Sequence, residues 1–343
     1  MAKRRMSSAK EAITETQESS KTAYIFPGQG AQFVGMGREV YESSQAAKAL
    51  FEEVDDILSF PLTRVIFEGP NDELEKTVNS QPAIMATSLA CYEALKEVSP
   101  LDAVTPVALA GHSLGEYTSL VVSGALDLAD GVRLVRERGR LMQEASEDHP
   151  GSMAAIIGMD ETTMEEICQE TGAEIANVNG ADQIVISGDK VCVARAIDLA
   201  SIRGARKAIP LAVAGAFHSS LMSPAQHGLA EAVDGVHFHD PAVPIIANST
   251  STPMTTAQEV KEELLNQLCS CVRWKQSVNV MIDSGVSSFI EFGPGRVLGG
   301  LIKRISSSPI YQDRHVEVLN VADMSTAIQV ATDRVNGPHL GSS

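Results

Sequence analysis

The chain of 343 residues is poor in positive charge. Lys and Arg number 27 against 44 Asp and Glu, which gives a formal net charge of −17. A general nucleic-acid binder needs a basic face that displaces phosphate counterions, and anionic membrane surfaces attract basic segments. The charge balance therefore argues against nucleic acid and membrane as partners, but it leaves room for a local basic patch that receives an acidic protein.

Cysteine is also scarce. The five cysteines are odd in number and scattered, and no CxxC pair is present: Cys91, Cys168, Cys192, Cys269 and Cys271. A zinc site and a disulfide framework are both disfavoured, so we expect no metal and a reducing, cytoplasmic location. No apolar run approaches the length that spans a bilayer.

The two ends lack the features of folded or targeting segments. Residues 1–21 begin basic and continue polar, without the apolar stretch of a secretory signal. We predict a disordered leader there; its glutamates count against a transit peptide, which would instead place the protein in an organelle stroma or matrix. Residues 331–343 are rich in Gly, Pro and Ser, and we predict a flexible tail.

The folded part shows two different orders of predicted strands and helices. Apolar runs at 23–26 and 107–110 each break at a glycine-rich turn that precedes a helical pattern, which is typical of a parallel α/β sheet. From Gly151 the order becomes βαββαβ, the pattern of a ferredoxin-like unit. Strands of the first kind resume at 243–247 and 288–292. We therefore predict an α/β-hydrolase-like large domain (22–148 and 214–330) interrupted by a small ferredoxin-like subdomain (149–213).

The turn at 111–115 reads Gly-His-Ser-Leu-Gly and fits the nucleophile elbow G-x-S-x-G. Its glycines permit a tight strand-to-helix turn that exposes the hydroxyl of Ser113. The backbone N–H of Leu114, at a helix N-terminus, can hold a developing oxyanion. The alternative is a structural turn with a helix-capping serine.

Serine needs a base, and among eight histidines His218 is the best candidate because it stands where the chain returns to the large domain. No Asp follows a predicted strand between Ser113 and His218. A backbone or side-chain carbonyl is the expected substitute for orienting the imidazole.

Five motifs occur in a fixed order: FPGQGAQ at 26–32, GHSLGEY at 111–117, RG at 138–139 with MQ at 142–143, AFHS at 216–219 and FGPG at 292–295. Together they resemble the malonyl-CoA:acyl-carrier-protein transacylases and the related acyltransferase domains of fatty-acid and polyketide synthases. The resemblance covers roughly residues 21–304.

This resemblance implies ping-pong transfer of a malonyl group from malonyl-CoA to the phosphopantetheine thiol of acyl carrier protein, supplying extender units for fatty-acid synthesis without a bound cofactor. It implies a Ser113–His218 dyad, an oxyanion hole from the N–H groups of Gln29 and Leu114, and a carbonyl of Gln267 supporting His218. Arg138 would bind the malonyl carboxylate, since a guanidinium pairs bidentately with it. The implied substrate pocket contains Phe217, His112 and Gln81.

Substrate choice and one departure also follow from the resemblance. Phe217 before His218 and Leu114 after Ser113 resemble the malonyl-selective form rather than the form that accepts methylmalonyl units. Cys271 stands where the family often has proline before Val-Arg-Trp, and we expect this replacement to loosen the turn that supports His218.

The partner expected from the resemblance is acidic, so an acidic, monomeric enzyme needs a local basic area to dock it. Basic residues cluster in two groups, Arg203, Arg206 and Lys207 on the small subdomain and Arg296, Lys303 and Arg304 on the large domain. The alternatives are a trans-acting polyketide acyltransferase, an acyl hydrolase and a non-catalytic scaffold. A nucleotide loop at 28–30 is disfavoured because the phosphate-binding Lys and Ser/Thr are missing.

Overall fold

A computed structural model describes residues 21–99 and 105–336. Apart from Lys21, the segment predicted as a leader lies outside these residues, and so do residues 337–343 of the predicted tail. The ten strands, in chain order, are β1 (Lys21–Phe26), β2 (Ala108–Gly111), β3 (Gly151–Ile157), β4 (Glu174–Gly180), β5 (Gln183–Asp189), β6 (Lys207–Pro210), β7 (Ile245–Ile246), β8 (Pro253–Met254), β9 (Val286–Phe292) and β10 (Glu317–Val321).

Fourteen α-helices are described within these ranges. They are α1 (Arg38–Ser43), α2 (Gln45–Leu58), α3 (Leu62–Glu68), α4 (Asn71–Glu75), α5 (Thr77–Val98), α6 (Leu114–Val122), α7 (Leu128–Asp148), α8 (Glu161–Thr171), α9 (Lys190–Ile202), α10 (Ser223–Asp234), α11 (Ala257–Gln267), α12 (Trp274–Asp283), α13 (Val297–Ser306) and α14 (Met324–Asn336). Short 3-10 turns occur at Ser220–Met222 and Pro309–Tyr311.

The main sheet has the order β10-β9-β1-β2-β7-β8 and is parallel except for the edge strand β8. Its central strand β1 is buried on both faces, as parallel strands covered by helices are. Tyr24 and Phe26 pack into one apolar core and Ala23 and Ile25 into the other. The carboxyl ends of β1, β2 and β7 therefore meet at one edge, where loops can place functional groups.

The second sheet is antiparallel, with the order β4-β5-β3-β6. Together with α8 and α9 it forms the βαββαβ unit, and the two helices pack on the sheet through a separate apolar cluster. This arrangement confirms the predicted fold class, a parallel α/β core with a ferredoxin-like insertion. The Val272 backbone links the two parts, since its N–H donates to Ala176 O (2.8 Å) and its O accepts from Val178 N (2.9 Å).

Some boundaries differ from the sequence prediction. Helices α1 and α2 are separated at Ser44, whose side chain accepts a hydrogen bond from Ala47 N (3.0 Å) and so caps α2. Helix α14 continues to Asn336, six residues into the segment predicted as a flexible tail. None of the helices in the described ranges combines the length and apolar character that a bilayer crossing requires.

Candidate active site

Ser113 lies between the end of β2 and the first residue of α6, in a strained turn with φ 52° and ψ −104°. The two glycines of the motif are needed for steric reasons. A Cβ on Gly111 would lie 1.8 Å from Gly115 C, and a Cβ on Gly115 would lie 2.0 Å from Phe26 O. The turn therefore folds only with glycine at both positions, and it projects the Ser113 hydroxyl from the sheet edge.

The structure brings His218 to this hydroxyl. The distance from Ser113 Oγ to His218 Nε2 is 2.7 Å. On the other side of the ring, Nδ1 donates to Gln267 O (3.0 Å) and Ser270 O (3.2 Å). Since carbonyls only accept, the proton resides on Nδ1 and Nε2 is left as the basic nitrogen facing the serine.

The electrostatics of the site keep this imidazole neutral. Burial, followed by the positive charge of Arg138, lowers the pKa of His218 from 6.5 to about 3. A neutral imidazole hydrogen-bonded to a hydroxyl is ready to act as a general base at neutral pH.

Two backbone N–H groups near Ser113 are available to an oxyanion. The N–H groups of Leu114 and Gln29 have no hydrogen-bond acceptor in the part of the chain that the structure describes. By contrast, the Ser113 N–H donates to Asn248 Oδ1 (2.7 Å). The turn after β1 packs closely against the turn after β2. The closeness is shown by Gly28, where an added Cβ would lie 2.3 Å from the backbone oxygen of His112.

Arg138, on α7, is the most unusual group of the site because it is a buried cation, only 1% exposed. Its Nη2 donates to Ser113 Oγ (3.1 Å) and Gln267 Oε1 (3.0 Å), and its Nη1 to Gln81 Oε1 (2.7 Å). Within residues 21–99 and 105–336 it forms no salt bridge. Burial lowers its pKa. A buried guanidinium without a salt-bridge partner is energetically costly, so its charge is available to an anionic group that enters the site.

Comparison with known proteins identifies the family to which the sequence belongs. The sequence model of the acyl transferase domain matches residues 23–332. The chain belongs to the acyl transferase family.

Individual relatives are similar over nearly their whole length. The malonyl CoA-acyl carrier protein transacylase of Bacillus subtilis (strain 168) is 45% identical over 312 residues, covering 90% of this chain and 95% of the relative. The crystal structure of an acyl-carrier-protein-S-malonyltransferase from Bartonella henselae superposes with a TM-score of 0.86 at 40% identity, covering 92% and 99%. A malonyl-transacylase in complex with its type II PKS acyl-carrier protein is 36% identical, with a TM-score of 0.86 and coverage of 92% and 100%.

The other residues predicted for the substrate pocket lie as follows. Gln81 is fully buried against Arg138, and Phe217 is buried immediately before His218. His112 accepts or donates a hydrogen bond of 2.8 Å between its Nε2 and Asn179 Oδ1 of the small subdomain. The side-chain Nε2 of Gln29 donates a hydrogen bond to Thr77 Oγ1 (3.5 Å).

The basic residues expected at a docking surface divide into two kinds. Arg203 pairs with Glu166 (3.1 Å) and Glu170 (2.6 Å), and Arg206 pairs with Asp182 (2.5 Å). These two are partly neutralised. The other four are exposed and form no salt bridge among the described residues: Lys207, Arg296, Lys303 and Arg304.

Two site residues of the acyl transferase were given no role in the sequence analysis. Asn248 accepts from Ser113 N and donates to Gly111 O (2.7 Å), so it holds the elbow from the neighbouring β7 turn. Glu116 is fully buried beneath the elbow. A signal existed for both, because Asn248 directly follows a predicted strand and Glu116 is an acid in an apolar first helical turn.

Cys271, which replaces a frequent family proline, does not leave its turn without support. The next residue, Val272, is held by both backbone hydrogen bonds to β4, and Ser270 O accepts from His218. Cys269 and Cys271 line a cavity of about 320 Å³ beside His218. Burial raises the pKa of both thiols to about 11, so they are protonated at neutral pH.

Proposed function

We propose that the chain transfers the malonyl group from malonyl-CoA to the phosphopantetheine thiol of an acyl carrier protein, through a malonyl ester of Ser113, and so supplies extender units for fatty-acid synthesis. The observation that carries this proposal is the buried Arg138, whose Nη2 lies 3.1 Å from Ser113 Oγ. An acyl group with a free carboxylate would pair its charge there while its thioester carbon reaches the hydroxyl. The names of the relatives support the same substrates.

In the first half-reaction, Ser113 Oγ attacks the thioester carbonyl of malonyl-CoA and His218 Nε2 takes its proton. The tetrahedral oxyanion accepts hydrogen bonds from the N–H groups of Leu114 and Gln29. Collapse breaks the carbon–sulfur bond, and the CoA sulfur leaves with the proton held by His218. The products are the malonyl ester of Ser113 and free CoA.

The second half-reaction runs the same chemistry in reverse with another thiol. The phosphopantetheine thiol gives its proton to His218 and attacks the ester carbonyl, and the same N–H groups stabilise the second oxyanion. The Ser113 oxygen then leaves and recovers the proton from His218. The chain supplies the serine nucleophile, the base and the oxyanion donors for both steps, so the proposed chemistry needs no resident cofactor or metal.

Intact-protein mass spectrometry tests the proposal in one series. Malonyl-CoA should add one malonyl group to the protein, and the S113A variant should stay unmodified. Adding holo acyl carrier protein should then remove the group from the enzyme and place it on the carrier. Absence of an adduct would refute the ester intermediate, and loss of the adduct at the same rate without carrier would identify a hydrolase.

For the carrier we propose a docking surface built on Lys207, Lys303 and Arg304. These cations are exposed and unpaired among the described residues, so they are available to an acidic partner. Arg203 and Arg206 contribute less, because each already shares its charge with an acid of the small subdomain. Ionic attraction of this kind speeds encounter more than it adds affinity.

A further inference from the structure

Gln267 contacts both the base and the buried cation. Its Oε1 accepts from Arg138 Nη2 (3.0 Å) and its Nε2 donates to Ser113 O (3.0 Å). Its backbone oxygen accepts from His218 Nδ1. The orientation of this one amide therefore decides whether an acceptor or a donor faces the guanidinium.

Glu116 is the second partner of that amide. Gln267 Nε2 donates to Glu116 Oε2, and the backbone N–H of Asn248 donates to Glu116 Oε1 (3.0 Å). The carboxyl group is 0% exposed, so no solvent reaches it. Both of its oxygens face N–H donors, and each donor belongs to a residue that contacts Ser113.

A carboxyl group satisfies this arrangement because both of its oxygens can accept hydrogen bonds. A glutamine at 116 has one acceptor oxygen and one NH₂ group, so one of its ends would face another donor. The strain is relieved if the Gln267 amide turns over, but its NH₂ group then faces Arg138. Burial, followed by the charge of Glu263, raises the pKa of Glu116 well above its ordinary value, and the hydrogen bonds from Gln267 and Asn248 and the charge of Arg138 offset only part of that rise.

We propose that Glu116 is a positioning residue that fixes the Gln267 amide and thereby holds Arg138 in place for the carboxylate of the incoming acyl group. The proposal rests on the proposed malonyl transfer, and it concerns selectivity for a carboxylate-bearing acyl group. Glu116 touches neither substrate nor the reacting atoms, so its effect is exerted through Gln267 and Arg138.

The test compares two substrates in single-turnover acylation of Ser113. Malonyl-CoA carries the carboxylate and acetyl-CoA does not. The ratio of the malonyl rate to the acetyl rate therefore measures the interaction of Arg138 with the carboxylate. A loss of dyad activity lowers both rates equally and leaves the ratio unchanged. We expect E116Q to lower the malonyl-to-acetyl ratio about tenfold, the size of one misplaced buried hydrogen bond. In an R138A background the same change should leave the ratio unaltered, because the route through Arg138 is gone.

Glu263→Gln is the matched control. Glu263 is a buried neighbour with a raised pKa, but it accepts from Ser249 N (2.8 Å) and from the Ser249 hydroxyl. A hydroxyl can donate or accept, so glutamine satisfies this site, and we expect the ratio to stay within about twofold of the parent.

The outcomes separate the two proposals. If the parent chain transfers no malonyl group, the proposed function fails. If the parent is active and E116Q keeps the parental ratio, or lowers both rates equally, the positioning role is overturned. Should E116Q not fold, E116D, which retains the carboxyl group on a shorter side chain, is read by the same criterion; failure of both to fold would make Glu116 a structural residue and overturn the proposal.

Discussion

Replacing Arg138 with alanine removes the buried guanidinium, its hydrogen bond to Ser113 Oγ and its charge beside His218, but it leaves the contact between Ser113 and His218. His218 keeps its carbonyl partners and its 2.7 Å contact with Ser113, and the N–H groups of Leu114 and Gln29 come from the backbone. What disappears is the positive charge at the far side of the nucleophile and its donors to an acyl carboxylate. Malonyl transfer should therefore fall while acetyl transfer is maintained or improved.

The magnitude follows from the geometry. A bidentate pair comprises two charge-assisted hydrogen bonds of about 1.5–3 kcal/mol each, or roughly 3–6 kcal/mol together. Since about 1.4 kcal/mol corresponds to tenfold, kcat/KM for malonyl-CoA should decrease by about 10²- to 10⁴-fold. An R138K variant keeps the positive charge but loses the two parallel donors of the guanidinium, and its kcat/KM for malonyl-CoA should lie between those of the parent and R138A.

Stopped-flow or quenched acylation with malonyl-CoA and acetyl-CoA measures both rates. Arg140→Ala is the control, since Arg140 lies on the same helix but is exposed and pairs with Glu137 and Glu144. It should change neither rate. If R138A lowered the malonyl and acetyl acylation rates equally, the proposed binding of the acyl carboxylate by Arg138 would be refuted, and Arg138 would instead act on Ser113 and His218.

Three further outcomes are expected. Because the pKa of His218 is lowered to about 3, its basic form persists, and kcat/KM for acylation should show no acidic limb near pH 6.5; a half-point there would contradict the burial argument. G115A should abolish folding or acylation, since its Cβ would lie 2.0 Å from Phe26 O; a normal melting temperature with normal activity would contradict this. K207E should raise KM for the carrier severalfold and leave that for malonyl-CoA unchanged, whereas R64E should change neither; equal effects of the two would remove Lys207 from the docking surface.

Sequence reasoning reached the parts of the site that local geometry dictates. The turn around Ser113 is encoded by its own glycines, and His218 could be selected because the small unit returns the chain there. The role of Arg138 came from family resemblance, because its burial depends on the packing of α7 against α5, which no local pattern of charges reveals.

Other features depend on which strands become neighbours. Asn248 can bridge Ser113 and Gly111 only because β7 pairs with β2, and a sequence does not state sheet order. Likewise, Arg203 and Arg206 look like free cations in the sequence, but elements distant along the chain supply their acidic partners. Charge clusters read along a chain thus overestimate the charge available at a surface.

The close contact between the turns after β1 and β2 has a consequence for engineering. Each turn carries a glycine at which an added Cβ would collide with the backbone of the other segment. A Cβ on Gly28 would collide with His112 O, and a Cβ on Gly115 would collide with Phe26 O. The turn after β1 and the turn that carries Ser113 therefore form one packed unit, and a graft of Ser113 into another protein has to transfer both turns together. Phe217 and Arg138 lie on other segments, so single substitutions at these two positions leave the contact between the turns in place.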